Sequence, residues 1–260
     1  MCCCKKVHTT GLPKGQIRHL KFKRVIMKIY NNGKYIEKNL TWHVEDSPWK
    51  AKQIIKIIQK NNINPNSICE VGCGAGEILN QLYGELSKDI MYYGYEISRD
   101  AFNLCKQREQ DKIKYFLKDF IKEENVYFDV LLAIDLVEHI EDYIGFLKKF
   151  REKGEYKIFH IPLEIFVVKA LLGRTFVDSR EKYGHIHYFN KEIMLAVLKD
   201  TGYEIIDYFY TGGAIELSGI STSLSFKSRL LKFPRKIMFY LSKDLTVKTL
   251  GGYSLLILAK

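Results

Sequence analysis

The chain is 260 residues long, 47% hydrophobic and 27% charged, which gives one large folded domain and argues against a disordered chain. Its formal charge of +11 is uneven: residues 5–28 hold eight Lys or Arg and no acid, and residues 227–243 hold six and no acid. Six cysteines without a C-x-x-C pair exclude a disulfide framework and zinc-finger spacing, and no apolar run has the length of a signal-peptide core or a membrane span. Unpaired thiols fit a reducing cytoplasm. The basic stretches suit phosphate-rich partners, either nucleic acid or an anionic membrane surface, against the plainer reading of solvated lysine-rich faces.

In chain order, residues 1–50 show no sustained periodicity and read as a basic arm or lid ahead of a domain spanning 51–260. Ser47-Pro48 opens a helix whose apolar face is Trp49, Ile54, Ile55, Ile57 and Ile58, ending at Asn61-Asn62. From residue 67 onward strands and helices alternate, the pattern of an α/β sheet with crossover helices. Strands are expected at 68–71, 91–96, 114–117, 128–134 and 156–161, with Pro162 as a stop, and helices from 76, at 99–107 and at 140–150. The run Phe128–Ile134 is continuously apolar apart from Asp129, as a strand buried on both faces requires. Residues 162–189 read as an insertion with a helical piece at 165–172. Asn190 then caps a helix to Asp200, closed by Gly202, and 203–210 alternates as a strand. Residues 221–241 form a basic amphipathic stretch interrupted by Pro234, and 253–259 is a final apolar strand.

The most informative segment is Glu70-Val71-Gly72-Cys73-Gly74-Ala75-Gly76 between the first strand and its helix. Glycines there let the chain turn tightly and bring a ligand against main chain, near the free N–H groups of a helix start. A dinucleotide turn needs G-x-G-x-x-G, and Glu77 stands where its last glycine belongs, presenting a carboxylate where a pyrophosphate would sit. An acid before the first glycine, a short glycine turn and Glu96 at the end of the next strand form a different set. This set resembles the cofactor site of class I S-adenosylmethionine-dependent methyltransferases. The resemblance covers residues 67–260 and implies a Rossmann-like seven-stranded sheet with helices on both faces and the last strand antiparallel beside the fifth. Insertions would follow strands five and six, at about 162–189 and 211–245.

The resemblance implies roles for particular residues. Gly72, Cys73, Gly74 and Gly76 would lie against the amino-acid part of S-adenosylmethionine, and Glu70 would orient the turn and attract the ammonium. Glu96 would accept the ribose hydroxyls, Asp119 would bond the adenine amino group, and Ile97 or Phe120 would pack on the ring. After strand four, Asp135-Leu136-Val137-Glu138-His139-Ile140 resembles the branch that methylates small molecules, including ubiquinone-pathway O-methyltransferases and many sugar methyltransferases. Asp135 would lie beside the cofactor, with Glu138 and His139 at the pocket rim. Some relatives hold a divalent cation with E-x-x-E-H at this place. Here Asp135 shortens the first ligand, and the expectation is no metal, with Glu138 capping the next helix and His139 bonding a nearby carbonyl.

Histidine supplies a base near neutral pKa for a hydroxyl nucleophile, and His139 or His185 is the expected base. His185 and His187 are two apart on an extended piece, so at most one faces the substrate. His160, inside strand five, reads as a satisfied core histidine. Trp42 or Trp49, in a block that resembles a segment of bacterial relatives, would shield the sulfonium from water. The expected function is O-methylation of a small molecule or saccharide, as in surface-glycan synthesis, by a cytoplasmic protein that touches the inner membrane face through its basic stretches. The rivals are a nucleic-acid methyltransferase, which lacks an N-P-P-Y or D-P-P-Y tetrapeptide here, and a cofactor-binding scaffold without catalysis.

Overall fold

The computed structural model describes residues 44–212 and 232–260, so most of the basic arm, with Trp42, and residues 227–231 of the second basic stretch lie outside the described residues. Seven strands form one sheet in the order β3-β2-β1-β4-β5-β7-β6. They are β1 (Ser67–Val71), β2 (Met91–Glu96), β3 (Ile113–Leu117), β4 (Phe128–Ile134), β5 (Gly154–Pro162), β6 (Ile205–Thr211) and β7 (Ser254–Ala259). All neighbours run parallel except β7, which pairs antiparallel with both β5 and β6. Strand order reverses at β1 and β4, so the crevice beyond their carboxyl ends is where an open α/β sheet accepts a ligand.

The sheet is buried on both faces because its central strands are apolar at every position that needs to be. On one face Leu131, Ala133, Phe159 and Ile257 pack under Phe146, Leu147 and Phe150 of α4 (Tyr143–Arg151) and Met194 and Leu198 of α7 (Lys191–Asp200). On the other, Ile68, Val130, Leu132 and Ile158 meet α1 (Ser47–Lys60), α2 (Glu77–Glu85) and Cys105 of α3 (Arg99–Lys106). Pro48 sits in the first turn of α1, where its missing N–H costs nothing, and Ala51, Ile54, Ile57 and Ile58 then fall on one buried stripe. Each buried isoleucine contributes about 2 kcal/mol relative to solvent exposure. Lys60 and Asn61, at the end of α1, both bond Asp207 of β6 (2.8 and 3.0 Å), which ties the helix to the sheet edge.

Several expectations need correction. The domain begins before residue 51, because α1 starts at Ser47 and its Lys50 is bonded to the sheet. The helix expected at 140–150 is a short turn, Val137–His139, followed by α4 from Tyr143, whose start is capped by Asp142. Pro162 belongs to β5, where β7 pairs with it at the strand's end. The insertion holds two helices, α5 (Val167–Leu171) and α6 (Thr175–Tyr183). Pro234 lies in the first turn of α8 (Lys232–Leu241) and does not interrupt it, and α9 (Lys243–Leu250) follows.

Candidate active site at the carboxyl ends of the strands

The parallel strands end on one edge of the sheet, and the residues singled out by sequence gather there. At the end of β4 the backbone of Asp135 is left-handed (φ 49°), a strained conformation for a residue that is not glycine. Two partners hold it. Lys50 Nζ lies 2.8 Å from Asp135 Oδ2, and His160 Nδ1 lies 2.6 Å from Oδ1. His160 is buried, bonds Thr211 through Nε2 at 2.9 Å and meets the Trp49 ring edge-on, so it is a satisfied histidine linking three elements. Burial acts to raise the Asp135 pKa, but the interactions and hydrogen bonds with His160 and Lys50 outweigh it and hold the carboxyl well below its ordinary range. Burial pulls Lys50 down, while Asp135 and Asp46 more than offset that and keep it protonated.

The glycine turn follows β1. Gly72, Gly74 and Gly76 all have positive φ (71°, 53° and 77°). At Gly72 a Cβ would stand 2.7 Å from Leu136, and at Gly76 it would stand 2.6 Å from the Tyr115 hydroxyl, which donates to the Gly76 carbonyl. Backbone conformation disfavours a side chain at both positions, and at Gly76 the Tyr115 ring and Cys105 Cβ also leave no room for one. Glu96, at the end of β2, accepts N–H bonds from Gly74 (3.0 Å), Ile97 (2.8 Å) and Ser98 (2.7 Å). Burial pushes its pKa up and those three donors oppose the shift. Glu70 is buried, its Oε2 has no hydrogen-bond partner among the described residues, and burial raises its pKa well above the ordinary value. Cys73, within the turn, is buried.

At the other candidate positions the structure separates what spacing could not. Ile97 projects into solvent with 66% exposure, while Phe120 is packed among Tyr95, Phe128 and Phe150. Phe120 is therefore a core residue, and Ile97 alone offers a face for a ring. Asp119 caps the short turn Phe120–Lys122 by accepting from Ile121 N (3.2 Å) and pairs with Lys122 (3.0 Å).

The third group sits where the insertion folds back over the strand ends. The Glu138 carbonyl accepts N–H bonds from Ile186 (3.0 Å) and His187 (3.1 Å), which pins the loop after α6 beside the β4 end. His139 Nδ1 donates to the Gly184 carbonyl (3.2 Å), and the His139 and His185 rings meet edge-on with centroids 5.0 Å apart. His185 Nδ1 lies 2.6 Å from Glu164 Oε2, and Glu164 Oε1 is bonded by Lys169 and by Ser179 Oγ (2.7 Å). These bonds hold the Glu164 pKa down at about 2 against the opposing effect of burial. Burial, then the neighbouring His185 ring, lower His139 to about 4, so it is neutral at physiological pH. His187 turns away, bonding the Glu141 carbonyl and packing on Tyr143. Glu138 does not cap a helix: it is fully buried, and among the described residues neither carboxylate oxygen has a partner in another residue. Burial, then Asp135, push its pKa well up. One donor atom each from Glu138, His139 and His185 lies within 4.8 Å of the others, so the grouping is not the Asp135–Glu138–His139 set that spacing offers.

Sequence reasoning missed Lys50, Glu164 and Thr211. Lys50 stood inside the block ending in Trp49-Lys50, and only its partner across the fold gives it meaning. Glu164 follows Pro162 by two residues and had no motif to mark it.

A family model described as "Methyltransferase domain" matches residues 45–208, most of the chain and nearly the whole of this site. Comparison with curated proteins gives no match. Among solved structures, the plantazolicin methyltransferase BpumL in complex with a monoazolic desmethylPZN analogue and SAH superposes with a TM-score of 0.57 at 15% identity, covering 95% of this chain and 97% of that one. The N-methyltransferase NodS from Bradyrhizobium japonicum WM9, in complex with S-adenosyl-L-homocysteine, gives 0.51 at 11% identity, covering 81% and 84%. The [4+2]-cyclase SpnF gives 0.54 at 12% identity, covering 81% and 80%. These likenesses show a shared fold and leave the acceptor open. With the glycine turn, the strand-end acids and a family match over residues 45–208, the chain belongs to the methyltransferase-domain family and is an S-adenosylmethionine-dependent methyltransferase.

Proposed function

We propose that the chain methylates a hydroxyl oxygen of a small molecule or saccharide, with His185 taking the hydroxyl proton. The observation that carries this is the Glu164–His185 contact of 2.6 Å beside His139 and Glu138. Glu164 accepts from Nδ1 and so leaves Nε2 as the basic nitrogen, the orientation a general base requires.

The chain's residues fit the cofactor. The glycine turn would lie against its amino-acid part, and Glu70 Oε2, without a partner among the described residues, has a lone pair to offer an ammonium. Glu96 already accepts three N–H bonds, so ribose hydroxyls would take its remaining acceptor capacity and compete with Gly74. Ile97 offers the apolar face for adenine. When bound, the cofactor supplies a methyl group already activated on a sulfonium. What the protein adds is alignment of the acceptor oxygen, exclusion of water and removal of one proton.

Contact with an anionic membrane surface is part of the same reading. Ile237, Tyr240, Leu241 and Leu245 are exposed on α8 and α9 beside exposed Lys236 and Lys243, an arrangement suited to lying in a lipid headgroup layer. Among the described residues no helix is long and apolar enough to cross a membrane.

The test is transfer of labelled methyl from S-adenosylmethionine to a panel of nucleotide sugars, lipid-linked saccharides, small phenols and RNA. Product on a hydroxyl acceptor that disappears with His185→Ala supports the proposal. Transfer to RNA alone, or cofactor binding with no turnover on any acceptor, overturns it in favour of the two rivals.

A further inference from the structure

We propose that a cavity at the amino-terminal edge of the sheet, lined by Lys157, Arg151 and Lys260, binds a phosphoryl group, carried by a small phosphate ester or present as free phosphate. The cavity measures about 320 Å3. It lies beside the start of β5 and the end of β7, at the opposite end of the parallel strands from the methyl-transfer pocket.

Lys157 is the residue that points to a ligand. Strand alternation puts residues 155, 157, 159 and 161 of β5 on one face of the sheet, where Phe159 and Ile161 belong to the apolar core. Lys157 stands in that row with only 3% exposure, at a position an apolar side chain could fill. Among the described residues its ammonium pairs with no carboxylate. It donates a 3.3 Å bond to the Glu155 carbonyl and stands 5.8 Å from the Tyr203 ring centroid. A buried ammonium in that condition is costly unless a counter-ion completes it. Burial lowers its pKa to about 8, with Arg151 and Lys260 adding to the shift and Glu155 opposing it.

The acids that line the same cavity do not supply the counter-ion. Glu155 Oε1 is paired with Lys260, and Oε2 accepts from the Tyr127 hydroxyl (3.0 Å), so both oxygens are taken. Glu152 is exposed to solvent. Arg151, the last residue of α4, donates one N–H to the Gly202 carbonyl (2.9 Å), and its guanidinium keeps further donors for an anion. With Lys260 matched by Glu155, Lys157 and Arg151 remain as two cations lining one space. A phosphoryl dianion matches that pair in charge and offers several oxygens to both donors, whereas a carboxylate brings a single charge.

The experiment titrates the full chain by calorimetry with inorganic phosphate, glycerol 3-phosphate and acetate, without cofactor or acceptor. Physiological ionic strength screens the exposed basic stretches. One equivalent of phosphate or of the ester is expected, with acetate weaker by at least tenfold. The tighter of the first two identifies whether the site takes free phosphate or an ester. Lys157→Met and Arg151→Gln should each weaken uptake at least tenfold, while Lys248→Ala, at the exposed pair with Glu192, leaves it unchanged. A second measurement needs no variant: acetic anhydride labels lysines of the wild type at pH 8, and the labelled peptides are quantified by mass spectrometry. Phosphate should slow labelling of Lys157 at least tenfold and leave Lys248 as it was. No uptake, uptake unaffected by Lys157→Met, acetate bound as tightly as phosphate, or labelling of Lys157 indifferent to phosphate overturns the site. Because cofactor and acceptor are absent throughout, failure here leaves the methyl-transfer proposal standing, and failure of that proposal leaves this one standing.

Discussion

Lys50 Nζ stands 2.8 Å from Asp135 Oδ2, so the first helix of the domain holds the end of the central strand in its left-handed backbone. The pair is a structural joint between two parts of the pocket wall. Lys50→Met removes one charge and leaves Asp135 with His160 alone. The expected cost is about 2–3 kcal/mol, below the roughly 3–5 kcal/mol of a fully buried pair, since the Asp135 side chain keeps 29% exposure. The sign with pH follows from the direction of the shift. A carboxylate held below its ordinary 3.8 contributes stability above that value and loses it as pH falls through the folded one. Wild type should therefore lose stability below about pH 4, and Lys50→Met should lose less there. Urea unfolding at pH 3 and pH 7 measures both.

Glu96→Gln keeps the size of the side chain at the end of β2 and replaces one accepting oxygen by a donor. Cofactor affinity should fall by at least tenfold, while the fold survives because the remaining oxygen still accepts N–H bonds from the following turn. Thermal unfolding with S-adenosylmethionine and S-adenosylhomocysteine reads this directly. Ligand at about 100 times its dissociation constant adds about 2.7 kcal/mol to wild type. An undiminished shift in the variant would remove Glu96 from the cofactor site.

Glu164 orients His185 and touches neither cofactor nor acceptor in the proposed reading. Glu164→Gln should cut methyl transfer by about 10–100-fold and leave the thermal shift with S-adenosylhomocysteine unchanged. Glu164→Asp, which keeps the charge but shortens the reach, should restore part of the activity. Equal rates for all three proteins in a single-turnover assay would show that His185 needs no orienting carboxylate.

Lys157 of β5 is buried far from the pocket edge, and burial lowers its pKa from 10.5 to about 8. A lysine lowered in the folded state carries a desolvated charge below about pH 8 and loses that burden as pH rises toward 10.5. Wild type should gain stability between those two pH values. Lys157→Met should be more stable than wild type at pH 7, with the difference shrinking through the same window. Melting temperatures at pH 7, 8, 9 and 10 test it, and a constant difference would contradict the buried-charge account.

Local chemistry made much of the fold legible. A short apolar run such as Phe128–Ile134 fits a strand of a doubly covered sheet, and the closely spaced glycines at 72, 74 and 76 mark a tight turn. The errors fall where neighbours decide. Residues Ile140–Asp142 have helical composition, but Asp142 caps a helix that starts at Tyr143. Phe120 follows a strand end, as an adenine contact should, yet the aromatic cluster of Tyr95, Phe128 and Phe150 draws it into the core.

The sequence by itself determined the α/β order, the glycine turn and the acids at the strand ends, because these depend on periodicity, backbone freedom and residue spacing within short segments. Only the tertiary structure decided the partners. It set Lys50 against Asp135, buried Glu138 under the loop after α6, and brought Glu164 and His185 of the insertion to the end of β4. Those pairings join residues far apart in the chain, and no local propensity records which distant surface a side chain will meet.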